Sequence, residues 1–112
     1  MIRVVLVEDQ NLVRQGLRSL LALATDIEVV GEAENGDAAL RLIPEARPDV
    51  VLLDIRMPGK SGIDVLEELK KSNALPPTLI LTTFDDDALL LRGIAAGARG
   101  YLLKDVTLET LT

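Results

Sequence analysis

The sequence predicts a doubly wound α/β fold, in which a five-stranded parallel sheet carries helices on both faces. Short aliphatic runs alternate strictly with amphipathic runs along the whole chain. The connections between these runs are short, and such alternation is typical of parallel sheets built from strand–helix–strand units. A length of 112 residues suits one domain, 1–112, with a core of its own.

The first half of the chain gives two strands and two helices. The run IRVVLV (2–7) is continuous rather than alternating, which indicates a strand buried on both faces. A helix is predicted over 10–23, and a second strand over 27–34 is more polar, as expected at the edge of a sheet. A second helix follows over 36–46, and Pro44 should bend or end it.

The helix at 10–23 is amphipathic. Its apolar side chains recur at helical spacing and comprise Val13, Leu17, Leu20, Leu21 and Ala24. Arg14 and Arg18 fall on the other face, so the pattern assigns them to solvent.

The second half continues with strand, helix, strand, helix and strand at 49–54, 61–73, 78–83, 86–97 and 100–104. Ser61 is placed to cap the third helix, and Lys70 and Lys71 complement the dipole at its end. A fifth helix starts at Thr107 and is truncated after about one turn, far short of the ~10–14 residues usual for a helix.

The predicted fourth helix is apolar on almost every side. Its leucines and alanines leave little polar surface. A helix of this kind is usually buried or packs on a partner. We therefore expect part of this surface, or the sheet face left by the truncated fifth helix, to be adhesive and to favour self-association.

Composition excludes several classes of function. Without cysteine or histidine, the chain has no disulfide, no thiolate or imidazole metal site and no Ser-His nucleophile pair. A net charge of −6 makes this segment a poor nucleic-acid binder. No signal-peptide pattern is visible, and no apolar run approaches the ~20 residues that span a bilayer. We expect a cytoplasmic location and no membrane partner.

Polar residues follow four of the five predicted strands. Strand one ends in Glu8 and Asp9, strand three in Asp54, strand four in Thr82 and strand five in Lys104. A doubly wound sheet places its site at these carboxyl ends. If strands one and three are neighbours, three carboxylates converge, and their repulsion favours a cation between them. Ligands made of oxygen alone indicate Mg²⁺.

These parts suit phosphoryl transfer, which needs an in-line oxygen nucleophile and cations that neutralise the phosphoryl oxygens. Asp54 is the candidate nucleophile, since it lies centrally and would form an aspartyl phosphate. Glu8 and Asp9 would hold the metal. Thr82 would donate a hydrogen bond to one phosphoryl oxygen, and Lys104 would pair with another.

The motifs VEDQ, LLDIRMPGKSG, LTTFDDD and GARGYLLKD, in this order and spacing, resemble the receiver domain of bacterial two-component response regulators. The resemblance runs from Ile2 to about Thr112. It implies a flavodoxin-like (βα)5 fold with strand order 2-1-3-4-5 and, in this chain, a truncated last helix.

The resemblance also implies roles for individual residues. Asp54 would accept a phosphoryl group from a phosphohistidine on a sensor histidine kinase. Asp9 and Asp54 would bind Mg²⁺ directly together with the backbone carbonyl of Arg56, and Glu8 would act at or near the metal.

Thr82 and Tyr101 match the switch pair of the family. The hydroxyl would move toward the phosphoryl group, and the ring would then turn inward. Phosphorylation would shift a population between two conformers through contacts with Thr82 and Lys104. The change would be read out on residues 84–112.

The runs EDQNLVRQGLRSLL and GYLLKD are most similar to the NarL/FixJ branch, whose members usually carry a C-terminal LuxR-type helix-turn-helix domain. The resemblance implies a homodimeric transcription regulator that binds DNA only through such an output domain, which is not in this chain. The receiver would be a switch and not a turnover enzyme, with at most slow self-catalysed phosphorylation and dephosphorylation.

Three other functions are compatible with an acidic residue at the end of a strand in such a sheet. Haloacid-dehalogenase-type phosphatases place a second Asp two residues after the nucleophile, where this chain has Arg56. A flavodoxin needs a hydroxyl- and glycine-rich phosphate loop after strand one, where EDQNLV would repel a flavin phosphate. A pseudo-receiver that acts as a protein-interaction module without phosphorylation stays the alternative.

Overall fold

A computed structural model describes residues 1–57, 59–82 and 87–103. Within these residues five strands alternate with four helices. The strands are β1 (Ile2–Val7), β2 (Ile27–Ala33), β3 (Val50–Asp54), β4 (Thr78–Thr82) and β5 (Gly100–Leu103). The helices are α1 (Asn11–Ala22), α2 (Gly36–Ala46), α3 (Gly62–Lys71) and α4 (Asp87–Ala95). The predictions for Lys104 and for a fifth helix over 107–112 lie outside the described residues.

All five strands are parallel and form one sheet in the order β2-β1-β3-β4-β5. The predicted fold class, strand order and edge position of β2 are therefore confirmed. The order reverses between β1 and β3, and this switch point is where doubly wound sheets open a crevice at their carboxyl edge.

Alternate residues of the central strands supply two separate cores. On β1, Val5 and Val7 face one core, whereas Val4 and Leu6 face the other. The first core lies against α2, α3 and α4, and the second lies against α1. The site at the carboxyl edge thus stands on strands packed from both sides.

Helix α3 begins as the sequence predicts. The Ser61 Oγ accepts a hydrogen bond from the Asp64 amide, and the Asp64 carboxylate accepts one from the Ser61 amide at 3.0 Å. This reciprocal capping satisfies two otherwise free amide groups of the first turn. Lys70 and Lys71 lie in the last turn, as predicted.

The start of β1 departs from the prediction of a strand buried throughout. Val4 to Val7 are buried, but Ile2 is 43% exposed and Arg3 is exposed. The reason is register, because pairing with β3 begins only at Val4, opposite Val50. Ile2 lies beyond this pairing and is opposite Ile27 of β2, while Arg3 is held by Asp49, whose amide donates to the Arg3 carbonyl at 2.8 Å.

Pro44 does not end α2, which continues two residues further to Ala46. The missing N–H of Pro44 removes one backbone hydrogen bond of the helix, but the helical pattern continues past it, since the Arg47 amide donates to the carbonyl of Ile43 at 3.1 Å. The helix ends instead at Arg47, whose left-handed backbone (φ 48°) lets its amide donate to the carbonyl of Ile43.

Helix α4 exposes much of its apolar surface. Gly93 is its fully buried residue, while Leu91 is 71% and Ile94 42% exposed. The expected self-association of this face stays a prediction. No helix in the described part of the chain is both long enough and apolar enough to cross a membrane.

Candidate phosphoryl-acceptor site

The strand order brings three acidic residues together at the switch point. Glu8 and Asp9 follow β1, and Asp54 is the last residue of β3, the neighbouring strand. One carboxylate oxygen from each of the three lies within 4.8 Å of the other two. The predicted convergence of these carboxylates is confirmed.

Two of the three carboxylates are withdrawn from solvent. Glu8 is fully buried and Asp54 is 2% exposed, while Asp9 is only partly buried. Glu8 directly follows β1 and Asp54 ends β3, and each of these strands has another strand on both sides. Three acids held this close, two of them in a poorly solvated place, strongly favour a bound cation.

Local backbone turns orient the two buried carboxylates. The Gln10 amide donates to Glu8 Oε2 at 3.4 Å, and the Arg56 amide donates to Asp54 Oδ1 at 3.2 Å. In each case the donor lies two residues after the acid, a turn in which a short polar side chain accepts from its own backbone. Each acid is therefore held by the loop that follows its strand.

The β3–α3 junction, residues 54–62, is fixed by backbone packing. A Cβ atom on Gly62 would lie 2.4 Å from the carbonyl oxygen of Asp54 and 2.8 Å from Ile55 Cα. The Gly62 amide also donates to the carbonyl of Ile55 at 3.1 Å. Only a glycine lets the start of α3 approach the Asp54 backbone so closely. The sequence pattern did not reveal this role.

Lys60, in the same junction, forms ion pairs with residues of α2 and α3. Its Nζ lies 2.8 Å from Glu68 Oε1 and 3.6 Å from Asp37 Oδ1. The hydrogen bond to Glu68, assisted by the charges of Glu68 and Asp37 and opposed by partial desolvation, raises the pKa of Lys60 above its ordinary 10.5. The Lys60 backbone also passes over Gly36, where a Cβ would lie 2.7 Å from the Lys60 carbonyl oxygen.

Arg14 corrects the prediction that both arginines of α1 face solvent. Its side chain is only 16% exposed, and Nη1 donates to the backbone carbonyl of Glu8 at 2.7 Å. Nε lies 3.4 Å from Glu32 Oε1, and Nη2 donates to Asn11 Oδ1. Arg18 is 60% exposed as predicted, although it pairs with Glu32. The position of Arg14 in the first turn of α1, beside the loop from β1, was the available signal.

Two of the remaining predicted residues, Thr82 and Tyr101, lie on β4 and β5. Thr82 ends β4 and is 2% exposed, and it pairs with Leu103 of β5. Tyr101 lies on β5 opposite Ile80, and its side chain is 51% exposed. Lys104 follows Leu103 but lies outside the described residues, so its contacts stay a prediction.

The residues present suit a divalent cation. The three carboxylates offer hard oxygen ligands, which Mg²⁺ prefers, and they lie close enough to share one ion. Arg56 follows Asp54 by two residues, so its carbonyl belongs to the same loop, but its part in binding stays a prediction. Beside Asp9 a cleft opens between the β2–α2 and β3–α3 loops, lined by Asn35 and Lys60 among others.

The chain matches the family model described as the response regulator receiver domain over residues 4–112. Among curated proteins it is 43% identical over 109 residues to the transcriptional regulatory protein YdfI of Bacillus subtilis, covering 97% of this chain and 51% of that protein. It is 42% identical over 106 residues to the DNA-binding transcriptional activator DevR/DosR of Mycobacterium tuberculosis, covering 95% of this chain and 49% of that protein. The chain thus spans about half the length of these relatives.

Solved structures of response regulators have the same fold as this chain. The receiver domain of the putative response regulator NarL from Mycobacterium tuberculosis superposes with a TM-score of 0.89 at 39% identity, covering 98% of this chain and 89% of that one. ChrA, a response regulator of a heme-sensing two-component system, gives 0.79 at 46% identity, covering 98% of this chain and 52% of that one. The chain therefore belongs to the response regulator receiver domains, phospho-acceptor switches rather than turnover enzymes, and its relatives are transcription regulators of the NarL/LuxR type.

Proposed function

We propose that this domain accepts a phosphoryl group on Asp54 from a phosphohistidine of a sensor histidine kinase. The observation that carries the proposal is the group of three carboxylates at the switch point of a receiver-family sheet. An Asp54 carboxylate oxygen attacks phosphorus as the phosphorus–nitrogen bond breaks. The electron pair returns to the imidazole nitrogen, and an acyl phosphate forms. Slow hydrolysis of that acyl phosphate releases inorganic phosphate and resets the switch.

Glu8, Asp9 and Asp54 would hold Mg²⁺, with the carbonyl of Arg56 as a further ligand. When bound there, the ion would supply positive charge to offset the negative charge of the phosphoryl oxygens. The protein supplies orientation, because the Arg56 amide holds Asp54 Oδ1 and the close contact at Gly62 holds the Asp54 backbone. Lys104 would pair with one phosphoryl oxygen, and the Thr82 hydroxyl would donate to another.

Mass spectrometry of the intact protein tests the acceptor role. The chain is incubated with acetyl phosphate, with and without Mg²⁺, beside an Asp54→Asn variant. We expect one added phosphoryl group that requires both Mg²⁺ and Asp54. Absence of an adduct under every condition would contradict the acceptor role and leave the alternative, a pseudo-receiver that acts as a protein-interaction module.

The acidic ligands have their own test. An Asp9→Ala variant removes one oxygen from the group of three, and we expect phosphorylation and its dependence on Mg²⁺ to be lost together. Asp9 is the most accessible of the three acids, so this variant disturbs the core least. Labelling of Asp9→Ala at the wild-type rate would refute the metal assignment.

Phosphorylation would be coupled to α4 and β5 through Thr82 and Tyr101. Thr82 is buried at the end of β4, whereas Tyr101 is half exposed, so an inward turn of its ring would change its burial. We expect Thr82→Ala to be phosphorylated yet to show a smaller change in hydrogen exchange over 87–103 on phosphorylation. Thr82→Ser keeps the hydroxyl and is the matched control. A full response in Thr82→Ala would show that this hydroxyl does not carry the coupling.

In the whole protein we propose that this receiver controls a C-terminal DNA-binding output domain of the LuxR type. The support is that the curated relatives are transcription regulators about twice as long as this chain. Dimerisation and a cytoplasmic location are proposed on the same family grounds. The net charge of −6 on this segment supports an arrangement in which DNA contacts come from the other domain.

A further inference from the structure

We infer that Arg14 is a positioning residue for the metal site, a step that rests on the function proposed above. Its guanidinium fixes the peptide between Glu8 and Asp9 and so sets the direction in which both acids point. The chain pattern gave Arg14 no such role, since it placed the side chain on the solvent face of α1. The structure instead turns it toward the end of β1, where Nη1 donates to the Glu8 carbonyl at 2.7 Å.

The contact acts on the one peptide that joins two of the three acids. Rotation of the Glu8–Asp9 peptide would redirect its carbonyl and displace both side chains. A charged donor on that carbonyl makes a stronger hydrogen bond than a neutral one, and its partial burial limits competition from water. The Gln10 amide donates to the side chain of Glu8 at 3.4 Å and is a second contact that holds this acid.

Three separate groups hold the guanidinium itself. Nε faces Glu32 Oε1 at 3.4 Å, Nη2 donates to Asn11 Oδ1, and Nη1 serves the Glu8 carbonyl. Glu32 lies on β2, Asn11 on α1 and Glu8 after β1, so Arg14 joins three elements around the acidic loop. A planar fork of five donors can make these contacts together, whereas a lysine ammonium cannot span them.

The positive charge of Arg14 and its role in orienting the acids should affect Mg²⁺ affinity in opposite directions. A guanidinium near a cation site repels the cation, so its charge alone would weaken metal binding. Glu32 offsets much of that charge at close range. Removal of Arg14 should therefore tighten Mg²⁺ binding if charge dominates, and loosen it if orientation dominates. We predict loosening.

The experiment titrates Mg²⁺ into the chain and follows backbone amide shifts at the end of β1, for wild type, Arg14→Gln, Arg14→Lys and Arg18→Gln. Arg18→Gln is the matched control, because it removes the other partner of Glu32 from an exposed position. Groups that orient metal ligands typically account for about 10–100-fold in affinity. We expect about tenfold or greater weakening in both Arg14 variants, and less than about twofold in Arg18→Gln. The apo amide shift of Asp9 should move only in the Arg14 variants.

Unchanged or tighter Mg²⁺ binding by Arg14→Gln would overturn the inference. Wild-type affinity in Arg14→Lys would also overturn it, since a single ammonium would then suffice. Equal weakening in Arg18→Gln would assign the effect to the surface charges of α1. If wild type itself fails to bind Mg²⁺, the proposed function fails first, and that result is distinct from the other three.

Discussion

Two junctions deliver the acids of the site, and they are built differently. The β3–α3 junction presents Asp54 by close packing, since α3 buries five residues along its length and its first residue, Gly62, lies against the Asp54 backbone. The β1–α1 junction, residues 7–11, presents Glu8 and Asp9 by polar contacts. Helix α1 buries only Leu17, and Arg14 holds the loop.

The two junctions should therefore differ in how firmly they hold their acidic residues. Asp54, the proposed phosphoryl acceptor, stands on a junction fixed by close packing, and a close-packed interior resists displacement. Glu8 and Asp9, the other two proposed metal ligands, stand on a junction fixed by charges and hydrogen bonds. Such contacts individually contribute about 1 kcal/mol and respond to solvent. Asp54 should keep its place under conditions that loosen Glu8 and Asp9.

The largest difference in the free energy of unfolding should come from truncating one leucine of α3 and one of α1. Leu66 of α3 is fully buried, and Leu66→Ala should lower the free energy of unfolding by about 2–5 kcal/mol through lost packing and a cavity. Leu12 of α1 is 83% exposed, and Leu12→Ala should change it by less than about 0.5 kcal/mol. Urea unfolding measures both. Similar losses in the two variants would abolish the contrast between the helices.

A smaller but more local effect is expected at Gly62. Gly62→Ala places a methyl group against the backbone of Asp54 and Ile55, which cannot move aside cheaply. We expect the free energy of unfolding to fall by about 1–3 kcal/mol and the backbone amide chemical shift of Asp54 to change.

Gly59→Ala is the matched control for Gly62→Ala. Gly59 has a positive φ of 75° but no atom within 4 Å of an added Cβ, so its cost is conformational and about 1 kcal/mol. If Gly62→Ala cost no more than Gly59→Ala in urea unfolding, the close approach would not be what holds Asp54.

The helix starts differ as well. Ser61 caps α3 with its side chain, whereas Gln10 precedes α1 with an extended backbone and no side-chain cap. Ser61→Ala should cost about 1 kcal/mol, and Gln10→Ser should add a few tenths of a kcal/mol by capping α1. Thermal unfolding of the two single variants shows whether Ser61→Ala lowers the stability and Gln10→Ser raises it. Destabilisation by Gln10→Ser would mean that the β1 loop cannot adopt the capping geometry.

The smallest effect on stability concerns Lys60, whose side chain pairs with Glu68 across the β3–α3 junction. The pKa of Lys60 is raised by its hydrogen bond to Glu68, so the charged form favours the folded state. This contribution is complete below the unfolded pKa of 10.5 and is lost as pH rises through the folded value. The stability difference between wild type and Lys60→Gln should be constant from about pH 7 to 10 and shrink above that range. A difference that grows with pH would contradict the assignment.

Much of this architecture could be predicted along the chain. Continuous aliphatic runs marked the central strands, and the polar run at 27–34 marked the edge strand, because burial on two faces or on one leaves a direct trace in composition. The role of Ser61 was visible from its place before an amphipathic run. The convergence of Glu8, Asp9 and Asp54 needed one further condition, that β1 and β3 are neighbours, which the structure supplies.

The contacts of Arg14 and Gly62 and the exposure of Ile2 could not be predicted from the sequence alone. An arginine on the polar side of a helix is assigned to solvent by default, yet its long stem lets the guanidinium of Arg14 reach a carbonyl on another element. The predicted helix places Gly62 in its first turn without a reason for a glycine there, and that reason is the carbonyl oxygen of Asp54, which would lie 2.4 Å from an added Cβ. Exposure of Ile2 follows from strand register and not from its hydrophobicity.

The sequence alone determined the order of elements, the residues that can carry chemistry and the strand ends at which they stand, because periodicity and composition are local properties of the chain. The tertiary structure decided which acids share one site and which groups hold them there. Those outcomes depend on strand order, on register and on backbones that approach within a few ångströms, and such distances arise only when segments far apart in sequence pack together.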